Sequence, residues 1–394
     1  MKRTALLILL GNLASFGPFV TDFYLPCLPR LSDVFSAPAA IVQMSLTASM
    51  LGLAAGQLFI GPVSDKYGRR GPLLWSLLLF VLSTAGCIAS PSVDWFIFFR
   101  LMQGFTGASG LVISKVVVTD LFTGKDLAKY FAVLAAVQFI APILAPVLGG
   151  AVFSLTSWQG IFIVLCIWGV VLFWGGWKMK ESLPAEKRLR TPVLQSFGCF
   201  AAVVRNRRFL VMTLLLAFVS AVIFSYISAS PFLFQNHFGL SPMHYGLCFA
   251  CNAMGLVAGS AMVMKCRDAD AVLRIGTWGL LAACILTSCA LLLAWPFLLF
   301  EAVLFLMIFC CGVLIPLTTT LALNAERNNK GVAAALLGSL SFLAGGIVAP
   351  LVGIGDMLVS VVILFMAGSI VSLLLWRYSR RFDYSLTGFE TLRP

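Results

Sequence analysis

The sequence predicts an all-α polytopic membrane protein with twelve transmembrane helices in two pseudo-symmetric six-helix bundles. Mean hydropathy is +1.01, and 60% of the 394 residues are hydrophobic while only 11% are charged, a composition that excludes a soluble domain. The apolar runs reach the ~20 residues that a spanning helix needs, whereas a membrane strand needs only about 10 in alternation. The runs therefore predict helices.

The apolar runs divide into six and six around a basic, proline-containing segment. We expect an N-terminal bundle at 1–177, a cytoplasmic linker at 178–208, a C-terminal bundle at 209–376 and a cytoplasmic tail at 377–394. The linker either lies along an anionic leaflet or is a solvated connector. The predicted spans are 4–24, 40–60, 72–89, 95–118, 130–155, 160–177, 209–234, 245–264, 275–294, 297–324, 331–352 and 357–376.

The basic residues set the expected orientation. If the first residue is cytoplasmic, only Arg30 of the 27 Lys and Arg residues falls in an outside connection, and only Arg100 and Lys115 fall within a span. This asymmetry is what the positive-inside rule predicts. It accounts for the net charge of +12 without a nucleic-acid partner, and it predicts a multi-pass protein of a bacterial inner membrane with both termini cytoplasmic.

An internal repeat relates the two halves. The glycine-to-aspartate spacing of Gly56–Asp65, at the end of span two, recurs as Gly259–Asp268 at the end of span eight. The run A-P-V-L-G at 145–149 recurs as A-P-L-V-G at 349–353, at nearly the same separation along the chain. Two matches at one separation predict a duplicated unit, and such bundles place a cavity between them.

The turn between spans two and three carries the first motif, G-P-V-S-D-K-Y-G-R-R at 61–70. Gly61 and Gly68 allow close backbone approach, while Asp65, Arg69 and Arg70 can form charge-assisted hydrogen bonds that we expect only when the bundles meet on that side. The pattern resembles the gating loop G-x-x-x-D-x-x-G-R-[KR] of the major facilitator superfamily. The second-half counterpart at 265–270 keeps an acid but lacks the glycine and the paired arginines.

Span four carries a polar face. Arg100, Gln103, Gly107 and Ser114 fall within one helical arc, with Lys115 close by, so this face should point to a polar cavity or an acidic partner. Lys115 either joins that substrate cavity or extends to the membrane surface as a helix-end residue. The run is similar to the superfamily's R-x-x-Q-G motif, which implies a role in proton coupling for Arg100.

Span five carries A-P-I-L-A-P-V-L-G-G at 141–150. Pro142 and Pro146 each remove a backbone donor and predict a bend, while Gly149 and Gly150 permit close contact with another helix. The run resembles the G-x-x-x-G-P-x-x-G-G element of exporters in the superfamily, although alanine replaces its first two glycines. A structural kink is the alternative interpretation.

Two carboxyl groups complete the candidate set. Ser15 and Asp22 share a face of span one, and Asp22 lies about 27 Å along it, at the outer margin of a core about 30 Å thick. With the other motifs, T-D-F-Y-L-P-C-L-P at 21–29 resembles the twelve-helix drug:proton antiporters of the bicyclomycin and chloramphenicol resistance type. Glu301 lies in span ten, at the position of the repeat that corresponds to Arg100 in span four, so the second half has an acid where the first half has a base.

A partly desolvated carboxylate favours its proton-bound form, so Asp22 and Glu301 are the candidate proton carriers. The alternatives are a solvated carboxylate for Asp22 and an outer-interface residue for Glu301. We expect a monomeric, cofactor-free exporter, not an enzyme, in which protons moving inward drive a drug-like molecule outward by alternating access within membrane lipid. An exporter of a specific metabolite (a sugar, nucleoside or amino-acid derivative) is the alternative, while no metal or nucleotide motif supports a membrane enzyme or receptor.

Overall fold

The computed structural model describes residues 3–189, 198–263, 268–326 and 330–381, and within those ranges it contains helices and no strand. The helices are α1 (Arg3–Ala14), α2 (Phe16–Thr21), α3 (Leu28–Val34), α4 (Ala39–Tyr67), α5 (Arg70–Ile88), α6 (Val93–Leu121), α7 (Gly124–Leu155), α8 (Trp158–Trp177), α9 (Gly198–Arg205), α10 (Arg207–Phe232), α11 (Pro242–Val263), α12 (Ala269–Leu292), α13 (Phe297–Ala325), α14 (Lys330–Val352) and α15 (Met357–Ser379).

Eleven helices in the described ranges are long and apolar enough to cross a membrane. Counting the bent segment that runs from α1 to the end of α3 as one more span gives twelve. The predicted all-α fold is therefore confirmed. Most helices extend beyond the apolar runs that predicted them, because polar residues at the ends continue the backbone hydrogen bonding.

The first span is not the single helix expected at 4–24. It breaks at Ser15 with a bend of 47°, and its second part continues to Val34. Pro18 has no N–H to donate to the carbonyl of Ala14, four residues earlier, and its ring crowds that carbonyl. The side chain of Gln138 on α7 donates to the Ala14 carbonyl instead, at 3.5 Å. Ser15 therefore lies at the break and does not share a continuous helix face with Asp22.

The chain forms two compact units. The first contains residues 1–197 together with 230–250, and the second contains 198–229 together with 251–394. The predicted bundle boundaries at 177 and 209 stay a prediction.

Both units contain a pair of helices in close backbone contact. In the first unit a Cβ at Gly56 on α4 would overlap the Phe105 carbonyl on α6. In the second unit a Cβ at Gly259 on α11 would overlap the Phe309 carbonyl on α13. Small residues let membrane helices approach closely where no hydrophobic driving force separates lipid from protein. The repeat seen in the sequence thus coincides with the same close contact in each unit.

The predicted linker at 178–208 contains structure of its own. Its first part packs against the turn between α4 and α5, where the Leu189 amide donates to the Asp65 carbonyl at 2.9 Å. Its last part includes α9, and Asn206 then donates to the carbonyl of Ala325 at 2.8 Å. Residues 190–197 of the linker and 382–394 of the predicted tail lie outside the described residues.

Candidate functional site

Arg100 on α6 is fully buried in the first unit. Its Nη2 donates to the carbonyl of Val20 at 2.8 Å, and its guanidinium carbon lies 4.0 Å from the ring centroid of Tyr24. Val20 is in the last turn of α2, where carbonyl groups lack donors from their own helix. The positive charge of Arg100 is therefore stabilised by a carbonyl group at a helix end and by an aromatic face, which attracts cations.

Gln103 holds the other side of the guanidinium. Its Oε1 accepts from Arg100 Nη1, and its Nε2 donates to Thr84 Oγ1 at 2.8 Å. The Thr84 hydroxyl donates in turn to the Phe80 carbonyl at 2.7 Å, which fixes the orientation of the amide. Arg100 forms no ion pair with any residue in the described ranges. The expected acidic partner is replaced by neutral acceptors.

The rest of the α6 face is covered by protein. A Cβ at Gly107 would lie 3.2 Å from the ring of Phe16 on α2, so this glycine makes room for α2 and does not line open space. The buried hydroxyls of Ser15 and Ser114 donate to carbonyls one turn earlier, those of Asn12 and Leu111. Lys115 alone of this set is exposed. The expectation that the whole face borders a polar cavity is wrong for Gly107, because α2 occupies that side.

Asp22 caps the C-terminal end of α2 and is 5% exposed. Its Oδ1 accepts from Thr21 Oγ1 at 2.7 Å. It forms no ion pair with a described residue, and it lies within electrostatic range of the phenol of Tyr245. The alternative of a solvated carboxylate at a helix end is therefore wrong in this structure.

The proline and glycine motif lies in α7, which continues through Pro142 and Pro146 as one helix. A Cβ at Gly149 would overlap the carbonyl of Phe23, and one at Gly150 would lie 2.7 Å from the carbonyl of Pro242. Both contacts are inside the first unit. The two glycines therefore permit the close packing that the sequence predicted, and one of them adjoins the segment that carries Asp22.

The loop motif between α4 and α5 forms a charged cluster around Arg69, whose side chain is 6% exposed. Its guanidinium forms an ion pair with Asp65 and donates through Nε to Asp120 Oδ2 at 2.9 Å. Burial alone would lower the pKa of Arg69, but these two carboxylates outweigh burial and raise it. These contacts lie within the first unit, and the expectation that the cluster forms only when the bundles meet stays a prediction.

Glu181 from the linker completes this cluster. Its two carboxylate oxygens accept the backbone N–H groups of Arg69 at 2.8 Å and Arg70 at 3.1 Å, at the first turn of α5. Burial would raise the pKa of Glu181, but those donors, the N–H of Leu183 and the charge of Arg188 together hold it below its ordinary value of 4.5. Sequence analysis missed Glu181, because no motif links it to a loop so far away in the chain.

The two glycines of this motif have different roles, because the motif is not wholly in the turn as expected: Gly61 lies within α4, and only Gly68 follows its end. Gly68 has a φ of 90°, which only glycine adopts readily, and the turn into α5 requires it. A Cβ at Gly61 would have no atom within 4 Å, so Gly61 is not needed for close backbone approach.

The second unit contains a polar cluster around Glu301 on α13. Asn252 on α11 donates through Nδ2 to Glu301 Oε1 at 2.9 Å and to Tyr226 Oη on α10 at 3.2 Å. Asn252 is fully buried, and the atoms Asn252 Oδ1 and Glu301 Oε2 are shielded from solvent and have no hydrogen-bond partner in the part of the chain that the structure describes. Sequence analysis named Glu301 but missed Asn252, although an amide inside an apolar helix is itself a signal of a polar site.

Comparison with known proteins is consistent with this architecture. The family model described as Major Facilitator Superfamily matches residues 7–350. The chain is 37% identical over 361 residues to the MFS-type transporter YdgK of Bacillus subtilis, with 90% of each chain covered. It is 27% identical over 351 residues to the chloramphenicol resistance protein CraA of Acinetobacter baumannii, covering 86% of this chain and 84% of that one. It is also 27% identical to a bicyclomycin resistance protein homolog of Haemophilus influenzae, covering 94% of each.

Solved structures share the fold at low sequence identity. A D-xylose-proton symporter superposes with a TM-score of 0.74 at 15% identity, covering 96% of this chain and 98% of that one. The human organic anion transporter MFSD10 superposes with a TM-score of 0.67 at 18% identity, covering 96% and 100%.

Proposed function

The chain belongs to the major facilitator superfamily of membrane transporters, and from that premise we propose that it is a proton-coupled antiporter that exports small, largely hydrophobic molecules. The proposal includes a bacterial inner membrane, cytoplasmic termini and a monomer. As a member of this family the protein is a transporter and not an enzyme.

One observation carries the proposal: each compact unit holds a carboxyl group in its spanning region with no cationic partner among the described residues. Asp22 is that group in the first unit, and Glu301 is that group in the second. Such a carboxyl group gains or loses its charge without breaking an ion pair. A coupled antiporter needs a group of this kind, because the proton must bind and leave in every cycle.

Coupling follows if substrate and proton bias the same two-state equilibrium. In this proposal a proton neutralises Asp22 or Glu301 and favours one orientation of the transporter. Substrate entering from inside then displaces the proton. Arg100 acts as a positioning residue, because it binds the carbonyl of Val20, two residues before Asp22.

Support for an apolar cargo comes from composition and from relatives. The chain contains 33 Phe and nine Trp, which provide adaptable apolar surfaces. Two relatives at 27% identity carry the names of resistance proteins to chloramphenicol and bicyclomycin. Drug-like molecules of this kind are the proposed substrates.

A second candidate, export of a specific metabolite, is favoured by the cluster around Asn252. Its Oδ1 and the Oε2 of Glu301 both lack a partner among the described residues, so a hydroxyl or ammonium group of a sugar, nucleoside or amino-acid derivative could donate to them. Transport assays separate the two candidates, since labelled polar metabolites would be exported, and labelled drugs would not, only under the second.

The deciding experiment is transport in proteoliposomes under an imposed pH gradient, first with a panel of labelled drugs and metabolites. Asp22→Asn and Glu301→Gln then remove each titratable group at nearly constant shape. Asp33→Asn is the matched control, because its side chain is 68% exposed and pairs with Arg30. Gradient-driven transport that survives in both test variants would refute the proposed proton carriers.

A further inference from the structure

Two tryptophans and three arginines meet where the first half of α12 lies beside the end of α15. They line an open cleft of about 460 Å³, formed by Trp278, Trp376, Arg377, Arg380 and Arg381. All five residues belong to the second unit, so the cleft is complete within one compact body. None of the transport motifs includes them.

Two of the three arginines lie over tryptophan rings, and Arg381 lies over the ring of Tyr378. The guanidinium carbon of Arg377 lies 5.4 Å from the ring centroid of Trp278, and that of Arg380 lies 5.8 Å from the ring centroid of Trp376. Trp376 is 3% exposed, and its indole N–H donates to Asp270 Oδ1 at 3.4 Å. The buried ring therefore forms a fixed floor, while the three arginines are exposed at the rim.

Positive charge at the cleft is in excess. Arg377, Arg380 and Arg381 form no ion pair with any residue in the described ranges. Arg274 adds a further exposed charge one helical turn before Trp278. Asp270 is the acid in contact with the cluster, and one of its oxygens is already engaged by Trp376. An anionic ligand would meet several unpaired guanidinium groups and one acid.

Apolar surface continues from the cleft along both helices. Ile370 and Leu374 precede Arg377 by seven and three positions, which places them on the same face of α15. Leu374 is 55% exposed, and Ile285, seven positions after Trp278 on the same face of α12, is 43% exposed. A ligand that fits this surface has an anionic head and hydrocarbon chains.

We propose that this cleft binds the phosphate headgroup of an anionic phospholipid, with its acyl chains along the apolar faces of α12 and α15. Guanidinium groups match phosphate oxygens in charge and geometry. Tryptophan is enriched where membrane helices meet the headgroups, and basic pockets between spanning helices bind anionic lipid heads. The proposal goes beyond transport and is independent of the identity of the cargo.

Native mass spectrometry of the delipidated full-length protein tests this directly. Phosphatidylglycerol, phosphatidylcholine and inorganic phosphate are titrated against the wild type and a variant with Arg377→Gln, Arg380→Gln and Arg381→Gln. The control variant removes the same charge from exposed lysines of the first unit through Lys125→Gln, Lys129→Gln and Lys180→Gln. We expect phosphatidylglycerol affinity to fall roughly fivefold for each cleft arginine removed and to stay unchanged in the control.

Three results would overturn the proposal. One is equal binding of phosphatidylcholine and phosphatidylglycerol, and another is an equal loss of affinity in the control, which would indicate only general surface charge. Inorganic phosphate that competes as well as the lipid would indicate a free-anion site. If the triple variant does not fold, the single variant Arg377→Gln and the ring variant Trp278→Ala give the same comparison, and unchanged phosphatidylglycerol affinity in both would refute the site.

Discussion

Asn252 donates both of its side-chain N–H groups, one to the carboxylate of Glu301 at 2.9 Å and one to the hydroxyl of Tyr226 at 3.2 Å. Three helices of the second unit thus meet at one buried amide. This contact makes the structural and the coupling roles of Glu301 separable. The hydrogen bond from Asn252 needs only an acceptor oxygen at position 301, whereas coupling needs a group that binds and releases a proton.

Glu301→Gln should abolish gradient-driven transport while leaving the protein folded. The glutamine carbonyl still accepts from Asn252, but the side chain no longer titrates. Asn252→Ala should instead mainly lower the melting temperature, since the carboxylate of Glu301 loses the N–H that it accepts at 2.9 Å, at a cost of about 1–3 kcal/mol. Proteoliposome transport and thermal unfolding of the purified protein measure the two effects. Gradient-driven transport that survives in Glu301→Gln, together with an equal loss of melting temperature in both variants, would show that Glu301 is only structural.

Arg100→Met should destabilise the first unit by about 2 kcal/mol or more, because it leaves the Val20 carbonyl and the Gln103 amide oxygen buried without a donor. Arg100→Lys should not rescue it, since a single ammonium cannot hold both acceptors and also stack on Tyr24. The exposed Arg30→Met is the control, because such surface pairs contribute little. Thermal unfolding in detergent checks this order, and full rescue by lysine would contradict the described geometry.

The spans could be predicted from the sequence because a spanning helix requires about 20 consecutive, mostly apolar residues, whatever it packs against. The break at Ser15 could not, because the apolar run continues unchanged through Pro18, and the side chain that donates to the Ala14 carbonyl instead, that of Gln138, is far away in the chain. For Arg100 the sequence left a polar cavity and an acidic partner open, and it did not indicate the neutral acceptors that the structure shows, for a related reason. A helix end offers free carbonyl groups, and sequence periodicity does not show where another helix ends.

The candidate site was partly predictable. Arg69, Asp65 and Gly149 carry motif signals, and the structure brings each into a specific contact. Glu181 and Asn252 act through single long-range contacts, which leave no spacing pattern in the chain.

Gly149→Ala should cost about 1–3 kcal/mol and impair transport, because the added methyl group overlaps the carbonyl of Phe23 and both are backbone-fixed. Gly61→Ala is the matched control. Its Cβ meets no atom within 4 Å, and alanine in a helix is favoured over glycine by up to about 1 kcal/mol. Melting temperature and transport should therefore fall only in the first variant. A Gly149→Ala protein as stable and active as the wild type would show that α7 does not need this approach.

The docking of the linker on the α4–α5 turn should depend on pH through Glu181. Because the pKa of Glu181 is held below 4.5 in the folded protein, its carboxylate favours the docked state at neutral pH, and this contribution is lost as pH falls through the lowered pKa. Amides around 69–70 and 189 should therefore exchange faster with deuterium in acid, after correction for intrinsic rates. Glu181→Gln should show the same fast exchange already at pH 7, since one of its two acceptor atoms becomes a donor and the charge facing Arg188 disappears.

Glu186→Gln, which changes an exposed acid of the same segment, should exchange as the wild type does. Protection in Glu181→Gln equal to that of the wild type at pH 7 would mean that the backbone hydrogen bond from Leu189 to Asp65 is sufficient to hold the linker in place.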